Sequence, residues 1–188
     1  MNRTDHATDL TVAMFAGVVP PDGEEPLAEA AGAALAHAGY ALKHGGYNGL
    51  MEAAARGAAR HQVPVTAITL ADRPDWGALN PFVTTTVYAP TMGARLYAYL
   101  DDADLVVAMG GGVGTLHELT AALYYATTIR SLPVRLLGPA ACRLSAFLRE
   151  EGWLTEMPTR PLGFLAELSD AEALAADLKA LADGRCAP

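Results

Sequence analysis

The chain has 188 residues, of which 52% are hydrophobic and 18% are charged. This length fits one domain, and this composition excludes a disordered chain. The formal net charge is −8 and no cluster of Lys or Arg is present, which argues against nucleic-acid binding. The apolar run 10–19 is too short to cross a bilayer, and the nine residues before it carry one Arg against two Asp. We therefore expect neither a membrane span nor a signal peptide.

Cysteine usage indicates a reducing compartment. The two cysteines, Cys142 and Cys186, do not have the spacing of metal ligands or of a redox motif. The sequence therefore predicts reduced thiols in a cytoplasmic protein, and no metal centre.

Apolar runs and helical patterns alternate along the whole chain. Residues 1–9 are polar and expected to be disordered, and 10–185 are expected to form one domain. The predicted elements are, in order, strand 10–16, helix 26–38, strand 40–43, helix 50–61, strand 63–70, strand 82–88, helix 91–100, strand 104–109, helix 115–129, strand 133–137, helix 140–150 and helix 170–182. This alternation predicts an α/β fold, a single Rossmann-like doubly wound parallel sheet with helices on both faces.

A glycine-rich loop, "GGGVG" (110–114), lies between a predicted strand and a predicted helix. Its spacing excludes the dinucleotide fingerprint G-x-G-x-x-G, and it lacks the Lys of a P-loop. Glycines let the backbone approach a phosphate closely, and the free N–H groups at a helix start point at it. The loop therefore predicts an anion site, to which Thr115 adds a hydroxyl donor.

The spacing supports two interpretations of Glu118 about equally. Thr115-Leu-His-Glu118 fits the S/T-x-x-E capping box, in which Thr115 is the N-cap and Glu118 completes the cap. A carboxylate at the ligand-binding edge of a sheet is equally a candidate for catalysis.

A second glycine-rich loop, 44–49, follows another predicted strand, and Arg95 follows a third. Ligands bind at the carboxyl ends of strands in doubly wound sheets, so the two loops converge on one crevice if their strands are neighbours. Close packing of strand and helix is the alternative reason for these glycines. An Arg in the first turns of helix 91–100 can face the same crevice, although an isolated Arg is more often a solvated surface residue.

Other polar and aromatic residues near the crevice have weaker signals. His44 and His117 are expected to make local hydrogen bonds rather than to catalyse. Trp76 and Trp153 lie in predicted loops, where either can pack on a base or on the surface. The spacing of Leu119, Leu123, Tyr124 and Tyr125 is typical of a core face or a dimer face.

Three motifs, in this order and at this spacing, resemble the LOG ("lonely guy") family, also called lysine-decarboxylase-like, and most of all its bacterial branch. The motifs are Gly45-Gly46-x-x-Gly49-Leu50-Met51, Met92-x-x-Arg95 and Gly111-Gly112-x-Gly114-Thr115-x-x-Glu118. The resemblance covers roughly residues 10–140. It implies a Rossmann-like fold, a homodimer, and hydrolysis of the N-glycosidic bond of a nucleoside 5′-monophosphate, such as cytokinin riboside monophosphate or AMP. The products would be the free base and ribose 5-phosphate.

The resemblance also implies roles for individual residues. Arg95 and Glu118 are the implied catalytic pair, which favours chemistry over capping for Glu118. The residues implied to hold the 5′-phosphate are Gly111, Gly112, Val113, Gly114 and Thr115. Further substrate contacts are implied for Gly17, Gly45, Gly46 and Met92. The resemblance implies no metal and no cofactor.

The chain departs from the family pattern at several positions. Gly110 replaces the usual Pro, Leu96 the Lys of an Arg-Lys pair, His44 a Gly, and Val18-Val19 two Ser. These changes indicate a nucleotide other than a cytokinin precursor, for example in specialised metabolism.

Two further functions fit the same cleft. One is non-catalytic carriage of a phosphorylated pterin, as in molybdenum cofactor carriers related to this family. The other is ribosyl transfer to an acceptor other than water. The presence of both Arg95 and Glu118 favours hydrolysis.

Overall fold

The structure, a computed structural model, describes residues 10–71 and 73–185, apart from the side chain of Pro74. The prediction of disorder for residues 1–9 and the prediction of a reduced thiol at Cys186 lie outside these residues. The strands are β1 Leu10–Phe15, β2 Tyr40–His44, β3 Val65–Leu70, β4 Thr85–Ala89, β5 Leu105–Ala108, β6 Val134–Leu137 and β7 Leu165–Leu168. The helices are α1 Glu24–His37, α2 Leu50–Ala59, α3 Met92–Leu100, α4 Val113–Thr128, α5 Pro139–Glu150 and α6 Ala171–Arg185, with a 3₁₀ turn at Pro74–Trp76.

The seven strands form one parallel sheet in the order β4-β3-β2-β1-β5-β6-β7. The chain runs outward from β1 to β4 and then returns to place β5 on the other side of β1. This confirms the predicted single-domain α/β fold. A ligand crevice opens where the strand order reverses, beyond the carboxyl ends of β1 and β5.

Helices cover both faces of the sheet. One apolar core lies under α1, α2 and α6, and the other lies under α3, α4 and α5. Because both faces are covered, all four residues of β5 are buried and the strand is apolar throughout. No helix in the described part of the chain is long and apolar enough to cross a membrane.

The edges of the sheet differ from the prediction. Strand β7 was not predicted, because its four residues lie at an edge, are at most half-buried and lack an apolar run. Strand β4 begins at Thr85, three residues later than predicted. The Thr84 N–H donates to the Val65 carbonyl (2.9 Å) and the Thr84 hydroxyl accepts the Val65 N–H (3.0 Å), so backbone and side chain both join this segment to β3 just before β4 begins.

Candidate functional site

Three loops meet at Gly17, just beyond the end of β1. The Gly17 N–H donates to the Gly110 carbonyl (2.9 Å), and the Gly17 carbonyl accepts the Leu50 N–H (3.0 Å). A Cβ on Gly17 would lie 2.6 Å from the Gly111 Cα, so only glycine fits here. The two glycine-rich loops therefore converge as predicted, although β1 separates their strands β2 and β5.

The glycine-rich loop 110–114 turns directly into α4. Gly112 is the N-cap and Val113 the first helical residue, so the predicted capping box is wrong: Thr115 is already the third residue of the helix. Thr115 is buried over Gly111, where an added Cβ would overlap its side chain. The backbone N–H groups of 111–115 donate to no acceptor in the described part of the chain. They are therefore open to an anion.

Arg95 and Glu118 form a buried ion pair between α3 and α4. The Arg95 Nη1 donates to the Glu118 Oε1 over 2.7 Å, and each residue is only 8% exposed. The Arg95 Nε donates to the Ile68 carbonyl in β3 (2.9 Å), and Nη2 donates to the Tyr99 hydroxyl (2.8 Å). The guanidinium is thus fixed by three partners. The interpretation of Arg95 as a solvated surface residue is wrong, because the helix carries it inward.

The environment of Glu118 gives it the electrostatics of a reactive carboxyl. Burial raises its pKa above the ordinary value, and the charge of Arg95 and its hydrogen bond act in the opposite direction. Burial also raises the pKa of Tyr99 well above its usual value, so this hydroxyl remains protonated beside Arg95. A carboxyl group with a raised pKa and a fixed cationic partner is a candidate for proton transfer.

A cavity of about 440 Å³ brings these groups together. Its lining residues are Ala16, Gly17, Val18, Tyr47, Met51, Trp76, Met92, Arg95, Gly112, Gly114, Thr115 and Glu118. Seven of the residues predicted for the site are among them. Gly111 and Val113 instead line a neighbouring cavity between α4 and α5. In the described part of the chain, no group of three or more His, Cys, Asp or Glu residues could hold a metal ion.

Gly45 and Gly46 are buried behind the cavity wall. A Cβ on Gly45 would lie 3.0 Å from the Met51 Sδ and 3.1 Å from the Arg95 Nη2. Because Gly45 has no side chain, the Arg95 guanidinium has room beside it. This agrees with the interpretation that the glycines of this loop serve close packing. Direct substrate contacts of Gly45 and Gly46 stay a prediction.

Aromatic residues close one side of the cavity. Trp76, held by the 3₁₀ turn, packs edge-on against Tyr47, with 5.9 Å between ring centroids. Tyr47 was not predicted, although its place inside the glycine-rich loop 44–49 was a usable signal. Trp153 lies elsewhere, 75% exposed after α5. Of the two tryptophans, Trp76 is thus the one at the site.

His44 is buried at the end of β2, whereas His117 is exposed on α4. The His44 Nδ1 accepts the Gly46 N–H (2.9 Å), which confirms the expected local hydrogen bond and shapes the loop. Its Nε2 has no partner among the described residues, and burial lowers its pKa from 6.5 to about 4.

The free energy of unfolding is expected to fall by about 3 kcal/mol between pH 6.5 and pH 4 because of His44 alone. Its folded-state pKa is depressed, so protons bind the unfolded chain first and stability is lost as the pH falls. Denaturant unfolding at a series of pH values measures this. His44→Asn keeps an acceptor for the Gly46 N–H and does not titrate. Parallel pH curves for the two proteins would contradict the prediction.

Comparison with known proteins places this geometry in a family. A family model described as the SLOG cluster4 family matches residues 13–155. A protein of Archaeoglobus fulgidus is 33% identical over 101 residues, which cover 54% of this chain and 65% of that protein. The match thus spans less than two thirds of that protein's length.

Two solved structures share the fold over almost the whole chain. The molybdenum cofactor binding protein of Rippkaea orientalis is 22% identical, with a TM-score of 0.71 over 92% of this chain and 97% of that one. The molybdenum cofactor carrier protein of Chlamydomonas reinhardtii is 20% identical, with a TM-score of 0.72 over 93% and 98%. These findings confirm the motif resemblance at the level of the superfamily. The chain is a member of the SLOG cluster4 family.

Proposed function

We propose that the chain hydrolyses the N-glycosidic bond of a nucleoside 5′-monophosphate. One observation carries this proposal. The buried Arg95–Glu118 pair lines the same cavity as Gly112, Gly114 and Thr115, whose backbone N–H groups have no acceptor among the described residues. An anion site and a reactive carboxyl in one cavity suit a substrate that is phosphorylated at one end and cleaved at the other.

The phosphate end binds at the start of α4. The open N–H groups, the positive end of the helix dipole and the Thr115 hydroxyl all favour a phosphate monoester. Glu118 lies three residues further along the same helix, on the face of Thr115. Binding of the phosphate therefore holds the ribose against the Glu118 carboxylate, and remote binding energy is used for orientation.

Glu118 acts on the sugar. Departure of the base gives the ribose an oxocarbenium-like positive charge, which a carboxylate in a dry pocket stabilises. The same carboxylate takes a proton from the attacking water as the water oxygen bonds to the sugar carbon, and this proton passes to the departing base, so that free base and ribose 5-phosphate are released. Arg95 keeps Glu118 ionised and in place, and its positive charge favours departure of the base.

The base occupies the apolar side of the cavity. This side is lined by Val18, Met51, Trp76 and Met92. Their side chains offer flat or flexible apolar surface, and the Trp76 indole is their one hydrogen-bond donor. Val18 stands where the LOG pattern has a Ser hydroxyl. We therefore expect the site to recognise the base by stacking and by shape rather than by hydrogen bonds.

A carrier of a phosphorylated pterin is the second candidate. The two structural neighbours named above are molybdenum cofactor binding and carrier proteins by name, and they share this fold. A planar pterin with one phosphate would use the same apolar wall and the same helix start. Carriage does not need the Arg95–Glu118 pair, and for this reason we favour hydrolysis.

The test is to incubate the purified protein with a panel of nucleoside 5′-monophosphates and with the matching unphosphorylated nucleosides. We expect free base and ribose 5-phosphate from at least one monophosphate, and no base from its nucleoside, by liquid chromatography. A ribosylated acceptor in place of ribose 5-phosphate would identify ribosyl transfer. If no nucleotide releases base, hydrolysis is wrong, and a phosphorylated pterin in the mass spectrum of the purified protein would establish the carrier.

We also infer a homodimer that uses the outer face of α4. Tyr124 on this helix and Trp153 after α5 are 68% and 75% exposed and line one cavity with Leu123 and Leu162, and exposed apolar surface of this kind marks protein–protein contacts. Light scattering is expected to give twice the chain mass of 19.6 kDa. Tyr124→Lys should shift the protein toward monomer, whereas Tyr88→Lys on the edge strand β4 should not. A monomeric wild type would refute the inference.

A further inference from the structure

One acidic side chain at the start of α1 lies inside the protein. Glu24 is 2% exposed, and both of its carboxylate oxygens accept backbone N–H groups. Oε2 accepts the Gly110 N–H (3.1 Å), and Oε1 accepts the Ala140 N–H (2.9 Å) in the first turn of α5. A single carboxylate thus joins the glycine loop to the start of a second helix. The proposed chemistry makes no use of it.

Glu24 holds the residue that precedes the open N–H groups. Gly110 is fixed at both ends, since its carbonyl accepts the Gly17 N–H and its own N–H donates to Glu24. A Cβ at Gly110 would lie 2.5 Å from the Pro21 Cγ and 2.6 Å from the Glu24 Oε2. A proline here would lack the N–H and would fill this space. The contact with Glu24 therefore fits Gly at the position where the LOG pattern has Pro.

The Glu24 carboxylate also occupies the N-terminus of one helix and leaves the N-terminus of another open to a ligand. Helices α4 and α5 both begin at the carboxyl edge of the sheet, after β5 and β6. At α5 the Ala140 N–H is already bound by Glu24, whereas at α4 the N–H groups of 111–115 are open. An anion that enters the crevice is thereby directed to α4.

We propose that Glu24 is a positioning residue for the phosphate site. It fixes Gly110, so that the following N–H groups converge on one phosphate, and it occupies the α5 start with the chain's own carboxylate. Preorganised donors bind an anion more tightly than donors that must first be ordered. The proposal rests on the phosphate-binding part of the proposed function and not on bond cleavage.

Glu24→Gln tests this proposal. Glutamine has nearly the same shape but one acceptor oxygen, and its NH₂ group would face an N–H donor. We expect the Kd for ribose 5-phosphate and for inorganic phosphate to rise about tenfold, measured by titration calorimetry. Glu25→Gln is the matched control, because it removes the same charge from the neighbouring residue, which is exposed and pairs with Arg56. It should bind both ligands like the wild type.

A second variant separates position from charge. Glu24→Asp keeps the charge but is one methylene too short to reach both N–H groups, and it should also weaken binding of ribose 5-phosphate. Should Glu24→Gln not fold, Glu24→Asp decides in its place. A role in folding alone would lower the Tm of these variants and leave their phosphate affinity unchanged.

The proposal is overturned if the Glu24 variant binds ribose 5-phosphate as tightly as Glu25→Gln does, or if the wild type binds neither ligand. If the wild type releases no base, but Glu24→Gln binds phosphate more weakly than the wild type does, hydrolysis is wrong and the role of Glu24 stands. If the wild type releases base and Glu24→Gln binds phosphate as tightly as the wild type does, hydrolysis stands and the proposed role of Glu24 is wrong.

Discussion

Glu118→Gln is expected to slow release of the base by about 10³-fold while ribose 5-phosphate still binds. The substitution keeps the shape and the acceptor oxygen that Arg95 contacts, but it removes the negative charge that stabilises the ribosyl cation. The N–H groups of Gly112 and Gly114 are untouched, so the phosphate site is preserved. Steady-state kinetics on the best monophosphate of the panel, with calorimetry for ribose 5-phosphate, measures both quantities.

The pH dependence of the wild type provides a second readout for the same carboxyl. Glu118 must be ionised to act, so the rate falls as the pH drops through its pKa, which burial places above 4.5. The residual rate of Glu118→Gln should lack this acidic limb. Glu150→Gln, at the exposed end of α5, is the control and should keep both the rate and the limb. If Glu118→Gln releases base as fast as wild type, Glu118 is not the catalytic carboxyl.

The glycine loop was predictable because its signal is local. A buried strand followed by four glycines in five positions and then a helical pattern predicts an anion site wherever it occurs in an α/β chain. The sheet was predictable for the same reason, since covered parallel strands are continuous apolar runs. The exception was β7, a half-buried edge strand without such a run.

Contacts across the chain were not predictable from spacing. Arg95 and Glu118 are 23 residues apart on different helices, and only the order of three motifs linked them. Glu24 lies 86 residues before Gly110 and 116 before Ala140, and no local pattern marks it. The capping box failed for a related reason. The T-x-x-E pattern was present, but the helix begins at Val113 with Gly112 as its N-cap, and Thr115 packs over Gly111 as the third helical residue.

Arg95→Met is expected to abolish activity near pH 7 and to lower the free energy of unfolding by about 3 to 5 kcal/mol. Methionine fills most of the space but leaves Glu118 buried without its cation. Only the weaker charge effect of His117 then opposes burial, so the pKa of Glu118 rises further above the ordinary value. The variant should therefore be less stable as the pH rises from about 4.5 toward that pKa, because the folded state must give up a proton that it holds more tightly than the unfolded chain. Denaturant unfolding across pH measures this.

The double variant Arg95→Met/Glu118→Gln separates the charge effect from lost packing. With neither charge of the pair left, it should recover most of the stability and lose the added pH dependence, while remaining inactive. Tyr99→Phe is the matched control, since it removes one hydrogen bond to Arg95 and one to Ile68 but leaves the ion pair in place. It should cost about 1 to 2 kcal/mol and keep the acidic limb of the rate. If Arg95→Met and the double variant are equally stable at every pH, the two residues are not coupled. Glu118 would then owe its ionisation to some other group.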